Sequence, residues 1–186
     1  MYGLFHVAMR DMVRLQINEA TWHEIMKRTN LDDQHFLAMK NYDDADTQQL
    51  IRATIEVLGV TADRFLEKLG VFFIGDFSTE LRKSLTMGKR PRFEDALVNL
   101  PIYIGTVSQA FQKFTSSGFE VKELEPYTIR LDYRSARPGM EYFIKGLVIG
   151  VAKLYEEPIK IVLSRSEPDQ GDSYTSYLIS WSGDKG

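Results

Sequence analysis

The stretch from Tyr127 to Tyr155, YTIRLDYRSARPGMEYFIKGLVIGVAKLY, restricts the fold more than any other part of the chain. In its first half Tyr127, Ile129, Leu131, Tyr133, Ser135 and Arg137 recur at every second position, with Thr128, Arg130, Asp132 and Arg134 between them. That is the period of a half-buried strand. Pro138 then fixes φ where a helix can begin, and Met140, Ile144, Leu147, Val151 and Leu154 repeat behind it at helical spacing. The unit is a strand that turns directly into a helix.

One face of that strand begins apolar and ends in Tyr133, Ser135 and Arg137. Arg137 offers a planar fork of donors that matches a carboxylate, and Tyr133 and Ser135 add hydroxyls on the same side. Two readings fit these residues. The strand end holds a hydrophobic ligand carrying acidic groups, or it closes a loop and pairs with an acidic side chain of the protein itself.

Upstream, the chain is helical in pattern. Leu4, Ala8, Met12 and Leu15 form an apolar stripe from Leu4 to Gln16. Thr21 with Glu24 three residues on reads as a capping box for a helix that buries Trp22, Ile25 and Met26. Asp44 or Asp46 caps a third helix that stops at Gly59, and Thr61 starts a fourth that ends at Gly70. A short apolar run, Val71 to Ile74, is broken by Gly75 and Asp76 before a helical stretch from Phe77 to Met87. Gly88 to Arg92 is a solvated basic loop.

Phe93, Leu97, Leu100, Ile104, Val107, Phe111 and Phe114 then recur in steps of four and three, as one long helix or two with a joint. Proline in a helix interior costs on the order of 3 kcal/mol, so Pro101 predicts a helix start or kink between Asn99 and Pro101. Residues 119 to 135 read as a hairpin turning at Glu125 and Pro126, and strands follow at Ile159 to Arg165 and Tyr174 to Trp181. Gly146 and Gly150, four apart, let the helix after Pro138 press close on the sheet. The expected architecture is α+β: a helical lobe over residues 1–70 and, over 71–186, a four-stranded antiparallel sheet with packed helices, in one domain.

Composition narrows the function. A formal charge of −3 gives no general nucleic-acid or anionic-membrane surface. No apolar run approaches the roughly 20 residues that span a bilayer, and no signal-peptide core opens the chain, so a bacterial-type cytoplasm is the expected setting. The absence of cysteine removes disulfides, thiolate catalysis and cysteine-held metal clusters. His6, His23 and His35 lack partners at metal-ligand spacing and read as surface or edge residues, so no metal site is expected. No phosphate-cradling glycine loop or nucleophile elbow occurs, and the chain reads as a non-enzyme.

Y-R-S-A-R at 133 to 137, with the opening M-Y-G-L, the early D-M-V, T-W-x-E-I, M-x-x-Y-D-D and E-V-L-G-V-T-A-D, resembles the H-NOX family (haem-nitric oxide/oxygen binding, HNOB) over nearly the whole chain. The resemblance implies a sensory domain whose Tyr133, Ser135 and Arg137 clamp haem propionates, in a pocket lined by Phe5, Phe72, Phe73, Leu100, Pro101, Ile104 and Tyr142. It also implies haem b as the cofactor and, as partner, a histidine kinase, a cyclic-nucleotide enzyme or a chemotaxis receptor. Tyr142 would be the family's distal tyrosine, or a core tyrosine bonded to a backbone carbonyl.

Two departures fall in the same region. Pro101 takes the place of the family's iron-ligating histidine, and the proline that follows in the family is absent from Lys113 to Gly118. Two expectations remain: a haem-free sensor or protein-interaction module that keeps the fold and holds another acidic apolar molecule, and a haem sensor whose iron is open or is met by water or Tyr103.

Overall fold

The computed structural model describes residues 3–32, 36–38, 40–77, 79, 83, 85–86, 92–109, 118–135, 139–166 and 173–183. Four helices open the chain: α1 (Gly3–Gln16), α2 (Glu19–Lys27), α3 (Asp44–Leu58) and α4 (Ala62–Phe72), the last running into a π-helical turn at Phe73–Phe77. After α5 (Phe93–Gln109) come β1 (Gly118–Glu125), β2 (Thr128–Ser135), α6 (Met140–Leu154), β3 (Ile159–Ser166) and β4 (Ser173–Trp181). The strands form one antiparallel sheet in the order β1-β2-β4-β3, so helices plus a four-stranded antiparallel sheet are the α+β class expected.

Local chemistry sets the helix ends, at positions that differ in part from the sequence reading. The Asn18 side chain, not Thr21, caps α2 by accepting the Thr21 amide at 2.7 Å. Asp43, not Asp44 or Asp46, caps α3 through the Ala45 amide at 3.2 Å. In each case the residue just outside the helix has the extended backbone that lets its side-chain oxygen reach back to the first free amides. Gly59 ends α3 as expected, in the left-handed conformation at φ 62°.

Gly70 does not end α4. The helix continues through it to Phe72, and the apolar run from Val71 to Ile74 is helical and π-helical rather than a separate segment. The reason is the crossing of α4 with α6. A Cβ on Gly70 would lie 2.8 Å from the Gly146 Cα, and one on Gly150 would lie 2.8 Å from the Ile74 Cβ. Gly146 and Gly150 thus press α6 against α4 and not against the sheet, because only bare backbones approach this closely.

α5 is a single helix with Pro101 inside it, so no new helix starts at 99 to 101. The Asn99 side chain donates to the Asp95 carbonyl at 2.7 Å one turn before the proline. Phe111 and Phe114 lie outside the described residues, as do the basic loop from 88 to 91 and most of the stretch from 78 to 87.

The β1–β2 hairpin turns through Pro126 and Tyr127, whose φ of 63° is rare for a residue with a side chain. Its ring packs on Gly183, where a Cβ would lie 2.5 Å from Tyr127 Cζ, and its carbonyl accepts the Trp181 amide at 3.1 Å. Phe93 at the start of α5 meets the Trp181 ring at 5.2 Å, which ties that helix to the end of β4. One continuous apolar core joins Phe5, Met9 and Trp22 through Leu69, Ile74, Leu100 and Leu147 to Ile129, Leu131 and Tyr177.

Candidate functional site

β2 places the polar strand end. Ile129, Leu131 and Tyr133 are all buried on its inner face, as the period of two requires, but Tyr127 belongs to the turn and is exposed. Tyr133 lies between Phe119 of β1 and Thr175 of β4 in the strand register, with its ring 4.8 Å from that of Phe119. Ser135 closes β2 opposite Ser173. Its side chain, and Arg137 with the rest of the connection to Gly139, lie outside the described residues. Gly139 itself enters α6 at φ 86°, a left-handed conformation open to glycine.

An aromatic group gathers where α1, the π-helical turn and α6 meet. Phe143 contacts Phe5 at 5.4 Å and Phe73 at 5.8 Å, and Phe77 contacts Phe73 at 5.2 Å and Phe72 at 6.2 Å. The three phenylalanines expected in the lining, Phe5, Phe72 and Phe73, are therefore joined through Phe77 and Phe143. The sequence reading missed those two. The available signal was Phe143 four residues before Leu147, on the buried side of α6. Tyr142 is half-buried at the first turn of the same helix, with its amide donating to the Gly139 carbonyl at 3.1 Å.

On α5, Leu100 is buried, Pro101 is half-buried and Ile102 points to solvent. Tyr103 and Ile104 continue the helix, and their side chains are outside the described residues.

The histidines divide. His23 is an exposed residue of α2, 3.2 Å from Glu19, and His35 lies outside the described residues. His6 is not at the surface, contrary to its sequence reading: it is fully buried, with Nε2 2.8 Å from Thr47 Oγ1 and its ring 5.0 Å from Phe36 and 4.7 Å from Tyr42. α1 is covered on more sides than one apolar stripe would suggest, by α3 and by the segment carrying Phe36 and Tyr42. Burial lowers the His6 pKa to about 4, because an imidazolium there would lose its water, and Nδ1 has no hydrogen-bond partner among the described residues.

A second buried polar group, Asp132, sits on the outer face of β2. Arg130 Nε lies 3.1 Å from one of its oxygens, and the Ser176 hydroxyl donates to the other at 2.6 Å. Among the described residues no group of three His, Asp or Glu side chains could hold a metal ion, and no helix is long and apolar enough to cross a membrane.

Comparison with known proteins places this arrangement. Soluble guanylate cyclase gcy-32 of Caenorhabditis elegans is 30% identical over 157 residues, which is 82% of this chain but 23% of that protein. Soluble guanylate cyclase gcy-34 of the same organism is 29% identical over 158 residues, 83% of this chain and again 23% of the relative, so the chain spans about a quarter of these proteins. A mutant of the T. tengcongensis H-NOX superimposes with a TM-score of 0.85 over 100% of both chains at 21% identity. The oxygen complex of an oxygen-binding H-NOX domain related to soluble guanylate cyclases does so at 0.83, covering 98% of this chain and 96% of that one at 20% identity. Those likenesses establish the fold, and the family follows from the sequence itself: residues 2–163 match the HNOB model, described as Haem-NO-binding, and the chain belongs to the Haem-NO-binding (H-NOX) family.

Proposed function

We propose that the chain is a cytoplasmic sensory domain that holds an apolar ligand with acidic groups between its helical lobe (1–70) and its α+β lobe (71–186). A separate signalling protein then reads the changed lobe geometry. The observation that carries this reading is the buried inner face of β2, which delivers Tyr133 beside the core two residues before Ser135 and four before Arg137. A ligand that prefers one lobe arrangement shifts the population toward it, and no catalysis by this chain is needed. A cyclic-nucleotide enzyme suits the partner role because two relatives are guanylate cyclases, with a histidine kinase or chemotaxis receptor filling the same position.

The two described histidines do not fit as ligands of a haem. The chain has histidines only at 6, 23 and 35; His6 bonds Thr47 and His23 sits beside Glu19. By the family resemblance the ligand position on α5 is Pro101, whose nitrogen is an amide with no lone pair to give a metal. The family's own description favours a second reading, in which haem is clamped by Tyr133, Ser135 and Arg137 and its iron is left open or is met by water or Tyr103.

Haem titrations followed by absorbance, on the parent, Pro101→His and Arg137→Ala, separate the two. The haem-free reading expects no saturable Soret band from the parent. If Pro101→His then gains haem and nitric-oxide binding, only the anchor is missing; if it folds and gains none, the side chains have closed the pocket. Parent binding weakened by about 1.5 to 3 kcal/mol in Arg137→Ala would establish the clamp with haem in it.

A further inference from the structure

The sheet has two edges, and among the described residues β1 is the more heavily charged and the only one with a broken register. β1 carries Glu120, Lys122, Glu123 and Glu125, and its register with β2 is broken between Glu123 and Glu125. Charges and a bulge of this kind blunt an edge against further pairing. β3, IKIVLSRS, pairs with β4 without interruption from Ile159 to Ser166 and among the described residues pairs with no other strand. On the outer face Val162 of β3 and Leu178 of β4 are direct cross-strand neighbours, 48% and 39% exposed. The next residue in that row, Arg130 of β2, is charged, so the two form a short apolar stripe confined to the β4–β3 side of the sheet and ending at the β3 edge.

We propose that β3 is the pairing edge of a homodimer, in which the β3 strands of two copies lie antiparallel about a two-fold axis at Val162 and join two four-stranded sheets into one. The sequence of β3 is self-complementary in this register. Val162 faces its own copy, Ile161 faces Leu163, Lys160 faces Ser164 and Ile159 faces Arg165, so no like charges oppose each other. Moving the axis to Ile161 would set Lys160 against Val162 on the outer face, and moving it to Leu163 would set Ser164 there. Only the axis at Val162 continues the stripe as Leu178, Val162 and their two symmetry copies. The closed, isologous contact also uses up the open edge of each copy, so assembly stops at two. This inference is independent of which ligand the domain holds.

The absence of cysteine makes the test direct. Sedimentation velocity across a dilution series of the full chain is expected to show a reversible dimer. Val162→Lys, which brings two ammonium groups together on the axis, should raise the dissociation constant on the order of 100-fold while leaving the melting temperature of the dilute monomer unchanged. Val162→Cys should form an intermolecular disulfide on mild oxidation, since residues facing each other across an antiparallel pair have Cα atoms roughly 4.5 to 5.5 Å apart. Leu178→Cys should not, because its two copies would stand three strand spacings, about 14 Å, from one another. A parent that stays monomeric throughout overturns the proposal. So does a dimer that survives Val162→Lys, a Val162→Cys protein that does not link, or a Leu178→Cys protein that links as readily.

Discussion

The helical crossing and the sheet reach similar closeness by opposite means. Where α4 meets α6, Gly70 and Gly146 leave backbone against backbone, and Gly150 receives the Ile74 side chain. Across the sheet the backbones are spaced by their own hydrogen bonds, and Ile129, Leu131, Tyr177 and Ile179 fill the space above them. The crossing therefore tolerates no added atom, whereas the sheet depends on keeping its volume and its polar tethers. The buried polar groups follow the same division: His6, among helices, is held neutral with one partner, and Asp132, on the sheet, is matched by both Arg130 and Ser176.

The contrast can be broken first at the crossing. Gly146→Val should cost about 4 kcal/mol in urea unfolding, since its Cβ would already lie 2.9 Å from the Gly70 Cα. Gly75→Ala, with nothing within 4 Å of the added atom, is the control and should cost almost nothing. Equal costs would mean that the crossing is not the rigid contact described.

Next comes acid. His6 titrates at about 4 when folded and near 6.5 when unfolded, so the unfolded chain takes up the proton first. Its contribution is complete above pH 6.5 and is lost as pH falls toward 4, by on the order of 3 kcal/mol. Unfolding free energies of the parent and His6→Leu, measured from pH 8 to 4, should converge or cross over that interval. Parallel curves would place the titrating group elsewhere.

The sheet side should give smaller losses. Asp132→Ala removes the acceptor of both Arg130 and Ser176 and should cost about 2 kcal/mol; because Arg130 is partly exposed and can recover water, the cost stays below that of a fully buried pair. Tyr177→Phe deletes the bond from its hydroxyl to the Glu141 carbonyl, 2.6 Å long, and should cost about 1 kcal/mol by thermal melts. A Tyr177→Phe loss as large as that at Gly146 would erase the distinction between the two regions.

Much of this was legible in the residues, for identifiable reasons. The alternation through Ile129, Leu131 and Tyr133 gave β2 and its buried face, because a strand has only two sides. Gly59 was read correctly because a helix stop is a local event. Gly70 was misread because one residue type serves both a helix stop and a close approach, and the choice between them is made by Gly146, 76 positions later. Leu15, assigned to the inward stripe of α1, is 74% exposed, while His6 lies inside. Periodicity on one helix cannot say how many neighbours will cover it. Asp132 fell on the correct outer face, and it is buried because Arg130 and Ser176 close over it. At the candidate site, Tyr133 came from pattern and Phe5, Phe72 and Phe73 from resemblance, whereas Phe77 depended on the π-helical turn, which has no sequence period of its own, and Phe143 on the helical spacing of α6.

The strand order also dictates a schedule for synthesis. β1 and β2 can pair as soon as their hairpin leaves the ribosome, but the next neighbour of β2 is β4, the last of the four strands to be made. β3 emerges earlier, yet it has no place in the sheet until β4 arrives to lie between it and β2. Throughout the translation of α6 and β3 the nascent chain therefore carries an unfilled β2 edge and an unattached, apolar β3, both open to the wrong partner. Slow codons or a stall between residues 159 and 173 would lengthen that exposure, and a truncated chain lacking β4 should be captured by chaperones rather than fold.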